Sequence, residues 1–499
     1  MQRHLLYIFF LLIFCVVKIN VLIDFAVVFT DHDQCTLWHA AEETKQGRFH
    51  EPCFYGQSYN SNLEAYLAVP LMWLHVPVQS SVPLVTTILG ILIFVLTSFS
   101  FYLKKNDLAA FAFLVLPLFL PPEYFLVSSM PRGFITGMFL VSIGHFLYST
   151  NKSTKGVFLL FLFATLGFWI NPNSAMMALP LGVCFLLQEE RKLWKVAVIG
   201  TIVATFYKLY TDYFYKTNTL SNYHVKPMFG FNPDYFFETL THLDSYFFNG
   251  TWLLALLICV ALLAGIIKKN KVVIVVCCAF IAFFFITMMM ERMHDGSDSI
   301  FYYRGRGYLA VPWAVFFIFT LAINDVEVKY NKSINTALSI CVALLFLFYV
   351  PKKSKGFVKA INKEMAMNDH GVKVDSVQTI LRRVNAVENL CCTEGVSLVV
   401  FPVNCDHCWI DTYAIPALTK ASISTLNIQD DRRAWRFFEE KKNEQRKFYA
   451  FGCGDPSNLT NSDSLHTPKD YAEHCYIMNI EGNVVDFYRE RVDYIRFGF

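Results

Sequence analysis

The residues best suited to chemistry in this sequence stand at the ends of apolar runs. The first run closes on Thr30-Asp31-His32-Asp33-Gln34, which places Asp31 and Asp33 at the end of a candidate membrane helix. A carboxylate there can act as general base on an acceptor hydroxyl or amine. It can do so while a lipid-borne partner stays in the membrane. The plainer alternative is a solvated helix end that carries two acids. A second segment reads Ser299-Ile300-Phe301-Tyr302-Tyr303-Arg304-Gly305-Arg306-Gly307-Tyr308. Arg304 and Arg306 could grip a phosphate in a planar, bidentate fashion. The glycines flanking Arg306 would let a ligand approach the backbone. The competing reading is interfacial arginine snorkelling beside an aromatic belt. Lys18 and Asp24 fall within the first run, where ionisable residues are functional candidates by default, though both lie near helix ends. Glu123 and Arg132 bracket a short turn, and His224, Lys226 and Asp234 form no pattern.

The elements that must position these groups are membrane helices. The 499 residues are 55% hydrophobic, 16% aromatic and only 17% charged, with a mean hydropathy of +0.39. Soluble domains average about 25% charged residues, so lipid is the implied solvent. A net charge of +3 without a clustered basic face excludes a nucleic-acid binder. A bilayer core needs roughly 20 apolar residues per helix. Candidate helices begin near Leu5, Val82, Leu108, Phe134, Val157, Ser174, Val196, Trp252, Val272, Tyr308 and Ile334. The expected fold class is a polytopic α-helical membrane protein of about eleven transmembrane helices. No small-x-small cleavage site follows the first run, which reads as an uncleaved helix. No internal repeat or low-complexity segment is visible.

Basic residues recur in alternate loops: Lys104-Lys105, Lys152 and Lys155, Arg191-Lys192, Lys268-Lys269-Lys271, and Lys329 with Lys332. Positive charge favours the cytoplasmic side, so the N-terminus is expected there. The long connections from Thr30, Thr211 and Glu291, and everything after Val350, then face the exoplasmic side. That side is the periplasm of a bacterium or the lumen of a eukaryote, and a bacterial inner membrane is the expected location. Residues 1–350 form the expected membrane domain and 351–499 a small exoplasmic α/β domain. In the latter, amphipathic stretches such as Asp375 to Leu390 alternate with β-like runs such as Val396 to Phe401. The sequons at Asn249 and Asn458 have meaning only in a eukaryote.

Of the 14 cysteines, eight fall in exoplasmic segments, where disulfides are allowed. Cys35 with Cys53 would staple the first loop. Cys405-Asp406-His407-Cys408 reads either as a redox or zinc site or as part of a set of structural disulfides. The absence of a second ligand pair favours the disulfides.

Several of these segments together resemble the GT-C glycosyltransferases. The nearest branch holds the dolichyl-phosphate-mannose–protein mannosyltransferases and the bacterial aminoarabinose-transferase-like proteins. The likeness lies in Asp33 with Leu37, Ala41 and Gly47 at matching offsets, then Tyr55-Gly56-Gln57-Ser58-Tyr59 and Leu63-Glu64-Ala65-Tyr66-Leu67-Ala68-Val69-Pro70. Arg132-Gly133-Phe134, Trp169-Ile170-Asn171-Pro172 and Arg306-Gly307-Tyr308-Leu309-Ala310-Val311-Pro312 resemble three further segments, the last with an extra glycine. Gln34 stands where members carry a second acid, which leaves open whether Asp33 acts alone or with Asp31. The resemblance covers roughly Met1 to Val350.

It implies transfer of a sugar from a polyprenyl-phosphate-linked donor to a lipid, glycan or protein acceptor on the exoplasmic face, by inverting displacement. Asp33, with Asp31 second, would be the base or would position the acceptor. Arg306, with Arg304 second, would hold the donor phosphate. Glu64 would line the same cavity, and Tyr55, Gln57, Tyr59, Arg132 and Tyr308 would contact substrate. Some members need a divalent cation such as magnesium or manganese and others do not; the sequence carries no dedicated metal cluster. A transporter or flippase of lipid-linked saccharides would instead show internal repeats and broken helices. A non-catalytic assembly protein would tolerate loss of Asp33 and Arg306.

Overall fold

The computed structural model describes residues 2–218, 221, 230–243, 252–291, 306–323, 355–361, 374–401, 408–427, 446–453, 465–466, 475–484 and 486–487. Helices dominate because an apolar environment offers backbone groups no partner but each other. Among the described residues, four helices are long and apolar enough to cross a membrane: Arg3–Ala26, Val78–Leu103, Arg191–Thr217 and Lys271–Met288. Helices stand at or near ten of the eleven expected starts, and the eleventh, from Ile334, lies outside the described residues. Val198, Ile199, Ile202, Phe206 and Leu209 on Arg191–Thr217 are all exposed. A stripe of that kind would be a large apolar patch in water and is ordinary surface in lipid.

The run from Leu108 departs from expectation. It breaks into α5 (Asp107–Val115), a 3-10 turn (Leu116–Phe119) and α6 (Pro122–Ser129), with a bend of 99°. Pro117, Pro121 and Pro122 explain the break, since none donates a backbone bond and each clashes with the preceding turn. The region between Glu123 and Arg132 is therefore mostly helix rather than a bare turn. Lys18 on α1 (Gln2–Val21) is buried against α6. Its Nζ donates to Ser128 Oγ at 3.1 Å and lies 5.3 Å from the Phe125 ring centroid. It ties the first helix to the broken one.

Helices α7 (Thr136–Thr150) and α8 (Thr154–Ile170) approach closely at two glycines. A Cβ on Gly137 would lie 2.6 Å from the Gly167 carbonyl oxygen, and the reverse distance is also 2.6 Å. Small residues permit this backbone contact. It brings the chain entering α7 beside the chain leaving α8.

Residues 374–487 carry a five-stranded sheet of order β4-β3-β5-β7-β6. Strand β3 (Leu398–Phe401) runs parallel to β4 (Ser424–Asn427) and β5 (Arg446–Cys453). Strand β7 (Cys475–Gly482) is antiparallel to β5 and to β6 (Leu465–His466). Alternate residues of β3 face opposite sides. Leu398 and Val400 join Phe448 and Met478, whereas Val399 and Phe401 join the main core. This region is fastened to the helices. β1 (Phe29–Thr30) pairs with β2 (Asp375–Ser376), and Val377 N–H donates to the Val28 carbonyl at 2.8 Å. The buried Arg383 guanidinium bonds Asp411 Oδ1 at 3.0 Å and Asp375 Oδ2 at 3.3 Å. The expected domain boundary at 350/351 lies outside the described residues.

The expected Cys35–Cys53 staple is absent, and both are free thiols. Cys35 contacts Thr30 Oγ1 in the first turn of α2 (His32–Lys45), whereas Cys53 Sγ lies 3.7 Å from the Tyr207 hydroxyl. Helix α2 carries the chain away between them, so each thiol packs in a different place. Cys408 is disulfide-bonded, Cys391 and Cys392 are free, and Cys405 lies outside the described residues.

Candidate active site

Asp31 begins the site. Its backbone is extended, and its carboxylate caps α2 by accepting from Gln34 N–H at 2.9 Å. An acid at a helix N-cap satisfies an orphan donor and meets the positive end of the dipole. The same carboxylate is ion-paired with Arg132, and both side chains are buried. Burial, then the nearby Arg306 charge, disfavours a charged Arg132. The Asp31 carboxylate opposes both effects and holds the guanidinium in place.

Arg132 sits in the turn between α6 and α7. Gly133 has φ +75°, and a Cβ there would lie 3.1 Å from the Ser61 carbonyl oxygen, so only glycine fits. Glu64, in α3 (Leu63–Trp73), accepts from Gly133 N–H at 2.7 Å and from Thr86 Oγ1 at 3.2 Å. Both its oxygens are thus taken by the protein. The structure places Glu64 behind the Arg132 turn, fully buried, rather than facing open space.

Arg306 completes the centre. Its guanidinium carbon lies 4.9 Å from the Phe134 ring centroid, and that of Arg132 lies 6.0 Å from the same centroid. Two guanidinium groups therefore share one aromatic ring. Asn173 Nδ2 bonds the carbonyls of Phe134 at 3.2 Å and Arg306 at 3.3 Å, joining the two chain segments. Asn171 Nδ2 donates to Asn60 Oδ1 at 2.6 Å, and Asn60 Nδ2 donates to Gln57 Oε1 at 3.1 Å. The Tyr55–Tyr59 loop, the turn before α7 and the end of α8 are so locked together.

The structure separates other candidates from this centre. Asp33 lies two residues after Asp31, roughly 200° around the helix, and is partly exposed. Its neighbour is the His32 ring, at 3.3 Å. Tyr55 is buried between the rings of His39 and His50. Gln57 and Tyr59 are half-buried. Tyr308 is fully buried, its ring 5.6 Å from Phe284. Arg304 lies outside the described residues. Phe134, Asn60, Asn171 and Asn173 were given no role from sequence. The signal for two of them, Phe134 and Asn171, was present in the Arg132-Gly133-Phe134 and Trp169–Pro172 segments. Among the described residues no three His, Cys, Asp or Glu side chains form a metal-holding group, so a divalent cation has no assigned ligands here.

Glu64 belongs to the connection between the first two long helices. Burial pushes its carboxyl from the ordinary 4.5 up to about 7, against the lowering effect of Gly133 N–H and Thr86. The folded chain then binds the proton more tightly than the unfolded chain. The resulting stability is complete below about pH 4.5 and is lost as pH rises to about 7, a change of roughly 3 kcal/mol. We expect the melting temperature of the wild type, measured against Glu64→Gln, to fall across that window and level off above it. A difference that stays constant with pH would show that Glu64 is not the titrating group.

No family model matches this chain, and no curated protein matches it. Among solved structures, ArnT from Cupriavidus metallidurans is similar in its complex with undecaprenyl phosphate and in the apo state. Each match has a TM-score of 0.60 and 11% identity, covering 94% of this chain and 97% of ArnT. The chain therefore has the fold of these ArnT structures over nearly its whole length.

Proposed function

We propose that the protein is an integral membrane glycosyltransferase that moves a sugar from a polyprenyl-phosphate carrier to an acceptor on the exoplasmic face. The observation that carries the reading is the pair of guanidinium groups about Phe134, next to Asp31, the acid that caps α2. The fold shared with ArnT, seen with undecaprenyl phosphate, supports a lipid phosphate as its ligand. The loop resemblance to the GT-C enzymes supports sugar transfer.

In this reading Arg306 binds the donor phosphate and Arg132 adds positive charge behind it. Asp33 takes the proton from the acceptor hydroxyl or amine. The new bond forms at the anomeric carbon as the bond to phosphate oxygen breaks. The electron pair leaves on the carrier phosphate, whose growing charge the arginines stabilise. The configuration inverts. The acceptor is a lipid, glycan or protein. The N-terminus lies in the cytoplasm of a bacterium, and residues 351–499 face the periplasm.

A flippase reading draws on the 99° break between α5 and α6, because transporters use discontinuous helices. One experiment separates the two. Purified protein in liposomes is given polyprenyl-phosphate sugars, and carrier-linked sugar is followed with and without candidate acceptors. Acceptor-dependent consumption of the donor is expected. Movement of intact donor across the bilayer without consumption would overturn the transferase reading.

A further inference from the structure

Gln34 is buried, yet neither its Nε2 nor its Oε1 has a hydrogen-bond partner. A nearby partner is available. Gln34 is the third residue of α2, and Asp31 is its N-cap. A glutamine or glutamate at that position ordinarily reaches back to the backbone N–H of the cap. Here the Asp31 half of that reciprocal pair is made, at 2.9 Å, and the Gln34 half is not. One turn later Trp38 is also fully buried, with its Nε1 unpartnered. Unsatisfied buried donors and acceptors are costly.

The helix directs this pair toward the arginine centre. Asp31, Gln34 and Trp38 stand at i, i+3 and i+7, on one face. Asp31 on that face holds Arg132. Cys35 and His39 are turned about 100° from Gln34 and Trp38. They face the C-terminal region, where the His39 and Tyr413 rings lie 6.1 Å apart and the Arg383–Asp411 pair acts on Cys35.

We infer that Gln34 and Trp38 form a hydroxyl-binding subsite that takes the sugar of the donor, beside the arginines that take its phosphate. The inference rests on the transferase reading. The chemistry selects the ligand. The Gln34 amide offers both a donor and an acceptor, and the Trp38 indole a donor. A phosphate only accepts, and would leave the Gln34 carbonyl unpaired. Sugar hydroxyls donate and accept, and satisfy all three groups. Gln34 in place of the acid of the resembling family also avoids a further buried charge next to Asp31.

The test compares binding of two probes, polyprenyl phosphate and polyprenyl-phosphate hexose, to wild type, Gln34→Met and Trp38→Phe in detergent. Gln34→Met preserves length and removes the unpaired groups, so its ligand-free melting temperature should stay level or rise. Its affinity for the glycosylated carrier should fall about tenfold, the worth of one lost hydrogen bond. Affinity for the bare carrier should stay within about twofold, well under the energy of one such bond. Trp38→Phe keeps a ring, removes the N–H and should lose affinity in the same direction, which serves if Gln34→Met does not fold. A lowered melting temperature with the preference for the glycosylated carrier intact would overturn the subsite. So would equal weakening of both probes. If wild type binds neither probe, the transferase reading fails and the subsite with it.

Discussion

Arg306→Ala should cut sugar transfer by roughly 10²–10³-fold, the usual effect of removing one group that stabilises a developing oxyanion, while the protein stays folded. The second half of that expectation is what makes the variant diagnostic. Arg306 is half-buried, and the tie from Asn173 is to its backbone carbonyl, which alanine retains. Its side chain lies over Phe134, at 4.9 Å from guanidinium carbon to ring centroid. Arg132 differs. Its removal leaves the Asp31 carboxylate buried without a counter-charge, at a cost of about 3–5 kcal/mol. Lost activity in Arg132→Ala would therefore report misfolding as readily as chemistry. Arg306→Lys keeps the charge and loses the planar fork, so it should recover part of the rate. The measurement is kcat and KM for the donor, together with the melting temperature. Unchanged turnover in Arg306→Ala would remove the phosphate role.

Much of the helical body could be read from sequence because lipid imposes a simple rule on it. Long apolar runs must be helices, and the runs from Leu5, Val82, Val196 and Val272 all lie on long helices. The rule says nothing about what happens inside a run, so the break at Pro121-Pro122 was missed although both prolines were in view. Contacts that depend on how helices rotate were also hidden. Asp31 meets Arg132 across about a hundred residues, and Glu64 meets the Gly133 backbone across 69. The family resemblance placed Glu64 in the cavity because the loop motif carries it, whereas the packing of α3 against Thr86 turns it inward. The Cys35–Cys53 expectation failed for the same reason. Two nearby cysteines in one loop suggest a bond, but the direction of α2 sends one toward the C-terminal region and the other toward Tyr207. The fastening of residues 374–487 rests on a two-residue ladder from Phe29–Thr30 to Asp375–Ser376, too short to leave a pattern.

The choice between the two acids at the start of α2 also turns on packing, and it yields the second large effect. Asp33→Asn should lower turnover by roughly 10²–10⁴-fold, the range for loss of a general base. It should leave the melting temperature unchanged, because Asp33 is partly exposed and its neighbour is the partly exposed His32. Asp31→Asn should do the reverse in kind. It keeps a capping oxygen, since asparagine caps as well as aspartate, but it removes the carboxylate charge paired with the buried Arg132. A loss of about 3–5 kcal/mol follows, with activity falling in proportion to the folded fraction. A carboxylate already committed to a helix cap and an arginine is a poor proton acceptor, because the guanidinium stabilises its charged form. An acid with a partly exposed side chain, as Asp33 has, can meet an acceptor arriving from water. Initial rates and melting curves on the same preparations separate the two roles. Asp31→Asn that remains fully folded and loses all turnover would move the base to Asp31, and Asp33 would then be an ordinary polar residue at a helix start.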